Sequence, residues 1–122
     1  MITGVVTTDC EPVIPIILRD ASGQLHEYDA VIDTGFTGWL TLPPDLITEL
    51  GLVWRELGEA ILAIGSRVYS DVYDATIIWD GEEIAISVYE ADSDPLVGMR
   101  MTYGFELNIR NVDGGPVILR RM

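Results

Sequence analysis

The chain has 122 residues, 48% of them hydrophobic, and a formal net charge of −13. That length supports one well-packed core and not two, so a single domain over residues 1–122 is expected. Seven basic residues against 20 acidic ones argue against a nucleic acid or an anionic membrane surface as partner, since both are bound by clustered Lys and Arg.

The N-terminal "MITGVVTTDCEP" has neither a basic n-region nor an apolar h-region, so no signal peptide is expected. Cys10 is the only cysteine, and no internal disulfide can form. Both features fit a soluble protein of a reducing compartment such as the cytoplasm.

Residues 4–9 and 12–19 read as two short strands. The second, with "PVIPIIL", carries prolines that suit edges and strand ends. "DASG" from Asp20 to Gly23 is a turn cluster, and "QLHEYDAVID" is a strand whose apolar end should be buried. "WLTLP" is a short strand. "PPDLITELG" follows with clear helix start and stop signals: Pro44 in the first turn, Asp45 facing the helix dipole and Gly51 at the end. "EAILAIGSRVYSDV" reads as a hairpin turning at Gly65 and Ser66. "YDATIIW" and "EEIAISVYE" flank Asp80-Gly81, a strong two-residue hairpin signal. Beyond the loop "ADSDP", Leu96 and Val97 end a strand, Gly98 permits a close approach, and residues 99–103 form a short helix. "FELNI" and "PVILRR" are the last strands, joined by "NVDGG". Many short turn-bounded strands with little helix predict a mainly β fold.

Few chemistries are available to this composition. His26 is the only histidine, and no Gly-x-Ser-x-Gly elbow accompanies it, so it reads as an ordinary strand residue. One histidine and one cysteine do not furnish a zinc site. The run Asp92 to Asp94 lacks the glycine and terminal glutamate of a calcium loop. There is no Gly-rich phosphate loop. No metal and no cofactor are expected.

Carboxylates remain, and Asp33 stands out. It follows the apolar Val31 and Ile32 and precedes Thr34 and Gly35. Such a position should be partly desolvated, so the carboxylate needs hydrogen-bond donors or a partner that shares a proton. Gly35 lets a tight turn aim amides at it, and Thr34 adds a hydroxyl. Taken alone, the tripeptide favours a plainer reading, an Asx-type turn in which Asp33 accepts bonds from its own loop.

Three segments together carry a resemblance: "AVIDTGFTGWLTLP", the hairpin "AILAIGSRVYSDV", and "DPLVGMRM". In that order they resemble the retropepsin-like aspartic proteases, and more narrowly a bacterial-type, single-lobe member. The likeness covers the chain from about Val13 onward. It implies a small closed antiparallel β-barrel of the retropepsin (acid protease) type with one or two short helices. It also implies that Asp33 is catalytic, that Thr34 and Gly35 support it, and that Ile64, Gly65, Ser66 and Tyr69 belong to a flap over the substrate. Leu96, Val97 and Gly98 would pack against the catalytic loop. Because the chain has one Asp-Thr-Gly, the resemblance implies a homodimer with one Asp33 from each copy, hydrolysing peptide or protein substrates. The last strand, "PVIL" with Arg120 and Arg121, would then build an intersubunit sheet. The family usually has Ala or Ser after Asp-Thr-Gly. Phe36 stands there in this chain, which bears on efficiency and substrate range. The alternatives are a peptide-binding module of the same fold with little or no catalysis, and a structural subunit in which Asp33 only makes a turn.

Overall fold

A computed structural model of the chain describes residues 1–61 and 67–122, those at 60, 61, 67 and 68 by their backbone alone. The elements run β1 (Ile2–Val6), β2 (Pro12–Arg19), β3 (Leu25–Ile32), β4 (Leu40–Leu42), α1 (Pro44–Leu50), β5 (Val53–Ile61), β6 (Arg67–Trp79), β7 (Glu82–Glu90), β8 (Leu96–Val97), α2 (Met99–Thr102), β9 (Phe105–Ile109) and β10 (Pro116–Arg121).

The strands form one sheet in the order β5-β6-β7-β4-β8-β3-β2-β1-β10-β9, and a further pairing of β6 with β2 closes part of it on itself. The closed ring is therefore β2, β3, β8, β4, β7 and β6, with β1, β10 and β9 extending from it. Most pairings are antiparallel, as expected. Two are parallel, β3 with β8 and β4 with β7, because the chain returns to these places by crossovers rather than by hairpins.

Alternation puts Ile14, Ile16 and Leu18 of β2 inside, together with Ala30 and Ile32 of β3. Leu40, Leu42, Leu50, Ile77, Val88, Val97, Val117 and Leu119 complete the fully enclosed centre of the ring and its extension. The prolines of β2 do not make it an edge strand: it has β1, β3 and β6 as neighbours. Pro15 lies past the stretch paired with β1 and before the stretch paired with β6, so only β3 borders it and its missing amide costs no bond on the other side.

Turn chemistry fixes the hairpins. Asp80 (φ 49°) and Gly81 (φ 83°) both have positive φ between β6 and β7, as a type I′ turn requires. Gly51 closes α1 in the left-handed conformation (φ 62°), with its amide on the carbonyls of Ile47 and Thr48.

β10 departs from the sequence expectation. Its two edges are taken within the chain by β1 and β9, so the "PVIL" strand does not await a partner copy. Arg121 likewise bonds its own chain, with Nε 3.3 Å from Asp80 Oδ2 and its guanidinium over the Phe105 ring.

Asp20 locks the β2–β3 turn. Its Oδ1 accepts from the amides of Ser22 and Gln24, and its Oδ2 lies 2.8 Å from His26 Nε2. The bond from His26, then that from Ser22, holds the carboxyl well below its ordinary value of 3.8. A carboxyl with a depressed native value stabilises the fold above its unfolded value, and the contribution fades as pH falls through the native one. Asp20→Asn should therefore lower the melting temperature at pH 7. The gap to the wild type should close as pH is taken below about 4, which thermal melts across that window would show.

Candidate active site

β3 ends on the buried Ile32, and the next residue, Asp33, is half-buried at the point where the chain turns back. Main-chain bonds fix the turn. The Gly35 amide donates to Asp33 Oδ1 (2.9 Å) and the Phe36 amide to the Asp33 carbonyl (3.2 Å). The second carboxylate oxygen of Asp33 has no hydrogen-bond partner among the described residues. An Asx turn thus accounts for one oxygen and leaves the other available. Thr34 and Gly35 are exposed, and the Thr34 hydroxyl also has no partner among the described residues.

The segment that packs on this loop is β8 with the start of α2. β8 lies between β3 and β4, and the amide of Leu96 donates to the buried Thr41 Oγ1 (3.1 Å). Four main-chain bonds follow. The Asp33 amide donates to Val97 (2.9 Å), Gly98 to the carbonyl of Trp39 (3.0 Å), Met99 to that of Phe36 (2.8 Å) and Arg100 to that of Gly38 (3.2 Å). Residues 33–39 are therefore held along their length by residues 97–100. Gly98 is needed for room. A Cβ on it would stand 2.1 Å from the Gly38 carbonyl oxygen.

Phe36 turns its ring toward Gly38 and Gly98 and meets the Tyr89 ring edge-on, with centroids 6.2 Å apart. Beside the loop, Thr37, Trp39, Met99, Arg100 and Tyr103 line a recess of about 420 Å³. The Arg100 guanidinium lies 5.9 Å over the Trp39 ring.

Ile64, Gly65 and Ser66 fall outside the described residues. The arms that lead to them are described: β5 pairs with β6 from Val53–Asp74 to Ile61–Arg67, with one irregularity after Trp54. Tyr69 is exposed on β6, opposite Glu59 in register. His26 serves the Asp20 turn, and Cys10 is exposed and free. Among the described residues no three His, Cys, Asp or Glu side chains gather as a metal site would require. Tyr89 was not singled out from sequence. The available signal was an aromatic on the face of β7 that otherwise carries Ala85 and Ser87, opposite the apolar Ile84, Ile86 and Val88.

No protein-family model matches the chain, and no curated protein matches it. Solved structures do. The EIAV protease complexed with the inhibitor HBY-793 is similar at 18% identity over 77% of this chain and 86% of that one, with a TM-score of 0.56. A retropepsin-like aspartic protease from Rickettsia conorii is similar at 17% identity over 96% of this chain and 90% of that one, with a TM-score of 0.55. The chain has the retropepsin-like aspartic protease fold.

In this retropepsin-like chain the Asp-Thr-Gly loop and the Leu-Val-Gly segment meet main chain to main chain, and that contact has no slack. Gly98→Ala would drive a methyl group into a backbone oxygen rather than into a yielding side chain. The expected loss of stability is about 2–4 kcal/mol, in the range of overpacking combined with broken buried bonds. Denaturant titration should show the midpoint falling, and an unchanged midpoint would mean that the loop has room the geometry denies.

Proposed function

We propose that the protein is an aspartic endopeptidase whose active site forms between two copies, each supplying one Asp33. What supports this most directly is the state of Asp33. It lies at the end of a buried strand, its backbone is pinned on both sides, one oxygen is held by Gly35 and the other has no partner among the described residues. A single such carboxylate cannot act as base and acid together. Two facing across a symmetry axis can.

In this reading the ionised Asp33 takes a proton from a water, and the resulting hydroxide oxygen bonds to the carbon of the peptide carbonyl. The protonated Asp33 of the other copy gives its proton to the carbonyl oxygen. As the tetrahedral species collapses, the C–N bond breaks, the carboxyl that took the water's proton passes it to the leaving nitrogen, and the ionised carboxylate takes the proton of one hydroxyl as the C=O bond re-forms, which restores the singly protonated pair. Thr34 would cross between the two loops. The β5–β6 hairpin, with Ile64, Gly65, Ser66 and Tyr69, would cover an extended peptide bound by strand addition and keep water out. A cytoplasmic, single-domain enzyme without cofactor is the accompanying proposal.

The surface beside the loop favours pairing there. Each copy carries a charge of −13, yet among the described residues the lining of the recess, Thr37, Trp39, Met99, Arg100 and Tyr103, includes no carboxylate. Met99 and Tyr103 are exposed apolar groups on it. Two acidic copies meet with least repulsion on such a face.

Asp33→Asn keeps the shape of the loop and removes the base. Peptidase activity should disappear, by at least about 100-fold as for loss of a general base, while the circular dichroism spectrum stays as it was. Cleavage at the wild-type rate would place the chemistry elsewhere. Specific activity of the wild type should also fall on dilution, as sedimentation on the same samples shows dimer giving way to monomer. A monomer with full activity would end the shared-site mechanism. A stable dimer that cleaves no peptide would favour the binding module.

Rate against pH gives an independent check. Two carboxylates roughly 3 Å apart do not both ionise easily, and the mechanism uses the singly protonated pair. Activity should be greatest at acidic pH, and pairing of the acidic copies should strengthen there and at higher salt, where their repulsion is screened within roughly 10 Å. A rate that kept climbing through neutrality would contradict a shared proton.

A further inference from the structure

Three glycines surround one pair of aromatic rings. A Cβ on Gly38 would lie 2.6 Å from the Phe36 ring, and one on Gly98 would lie 2.6 Å from the same ring. On β5, a Cβ on Gly58 would lie 3.4 Å from the Tyr89 ring and 2.6 Å from Val72. None of the three has a positive φ, so backbone freedom is not what requires glycine at these places. Room for neighbouring atoms is. At Gly38 that room is taken by the Phe36 ring, at Gly98 by the Gly38 carbonyl and then the Phe36 ring, and at Gly58 it is shared by Val72 and Tyr89.

The pair spans two parts of the molecule. Phe36 belongs to the Asp33 loop: its amide bonds the Asp33 carbonyl, and its own carbonyl holds Met99. Tyr89 lies on β7, opposite Val72 of β6 and beside Thr41 of β4, and its ring reaches Gly58 of β5. Next to it, Ser70 Oγ donates to the Glu90 carbonyl (2.8 Å) and ties the β6 arm to the same strand. The rings meet edge to face, an arrangement that contributes beyond the area it buries.

We infer that Phe36 and Tyr89 act as a strut between the Asp33 loop and the β5–β6 hairpin arms, and that both are positioning residues. The inference rests on the peptidase reading where it concerns turnover, but the mechanical coupling stands without it. A rigid aromatic contact transmits a shift of the arms to the loop. A small residue at position 36 would remove the ring contact through which Tyr89 meets the loop.

Hydrogen exchange on the full chain tests the coupling without any substrate. Phe36→Ala should speed exchange of the amides of residues 56–58 and 70–72 by about tenfold, with those of β9 and β10 unchanged. Faster exchange confined to residues 34–38 overturns the strut, and so does an equal rise across β9 and β10, which would report general loosening. Turnover tests the positioning role. Phe36→Ala and Tyr89→Leu should each lower kcat on the order of 10- to 100-fold with KM little changed, as a misplaced reacting group does. The double variant should be no worse than either single one. Tyr89→Phe keeps the ring and should restore the wild-type value. Losses that multiply in the double variant refute positioning through this contact. If no peptide is cleaved by the wild type, the peptidase proposal fails and the exchange pattern alone decides on the strut.

Discussion

The fold depends on one contact between two stretches of backbone. Residues 97–100 lie against residues 33–39 with no side chain between them at Gly98, where the nearest atom is a carbonyl oxygen. Every amide from Gly98 to Arg100 finds an acceptor in that loop, and the Asp33 amide finds one in β8. A turn that would otherwise expose its carbonyls is thereby satisfied from within, as a partly buried loop must be. The same contact inserts β8 between β3 and β4 and so joins the two halves of the ring. Loop geometry and ring closure are consequences of one packing event, and a change at Gly98 touches both.

The sequence made much of this legible because turn chemistry is local. The Asp80-Gly81 hairpin, the Pro44 start and Gly51 stop of α1, and the Gly98 approach each rest on a residue whose conformational or steric role is visible without neighbours. What the chain hid was pairing at long range. The prolines of β2 suggested an edge, whereas the strand is interior and merely has a gap between β1 and β6 beside Pro15. β6 read as two separate pieces and is one strand of 13 residues, because nothing in "YSDVYD" marks where a hairpin arm becomes part of the ring. The partner of Phe36 could not be read at all. Tyr89 lies 53 positions away, and only the sheet order brings the two together.

Charge is distributed so that the fold uses its few cations locally. Arg19 bonds Glu83, Arg55 bonds Asp74 and Ser87, and Arg121 bonds Asp80, each linking different strands or the turn beside them. Exposed pairs of this kind contribute little each to stability. Their effect is to reduce like-charge repulsion on an acidic surface. Arg100 is different. Among the described residues it has the Trp39 ring rather than a carboxylate beside it, and it stands next to the loop that carries Asp33.

The placement of β10 bears on how such a chain assembles. Residues 116–119 of it pair with β1 on one side and residues 117–121 with β9 on the other, inside one copy, and Val117 and Leu119 are already enclosed. A dimer that shares strands loses part of each core when it separates, so its folding and its association are one equilibrium. In the proposed dimer the two would be separate free energies. One copy has its core and its ring without strands from another, so pairing would add only what the contact itself contributes. Under that proposal the chain would be a folded half-site on its own, with concentration and ionic conditions deciding when two halves become a whole.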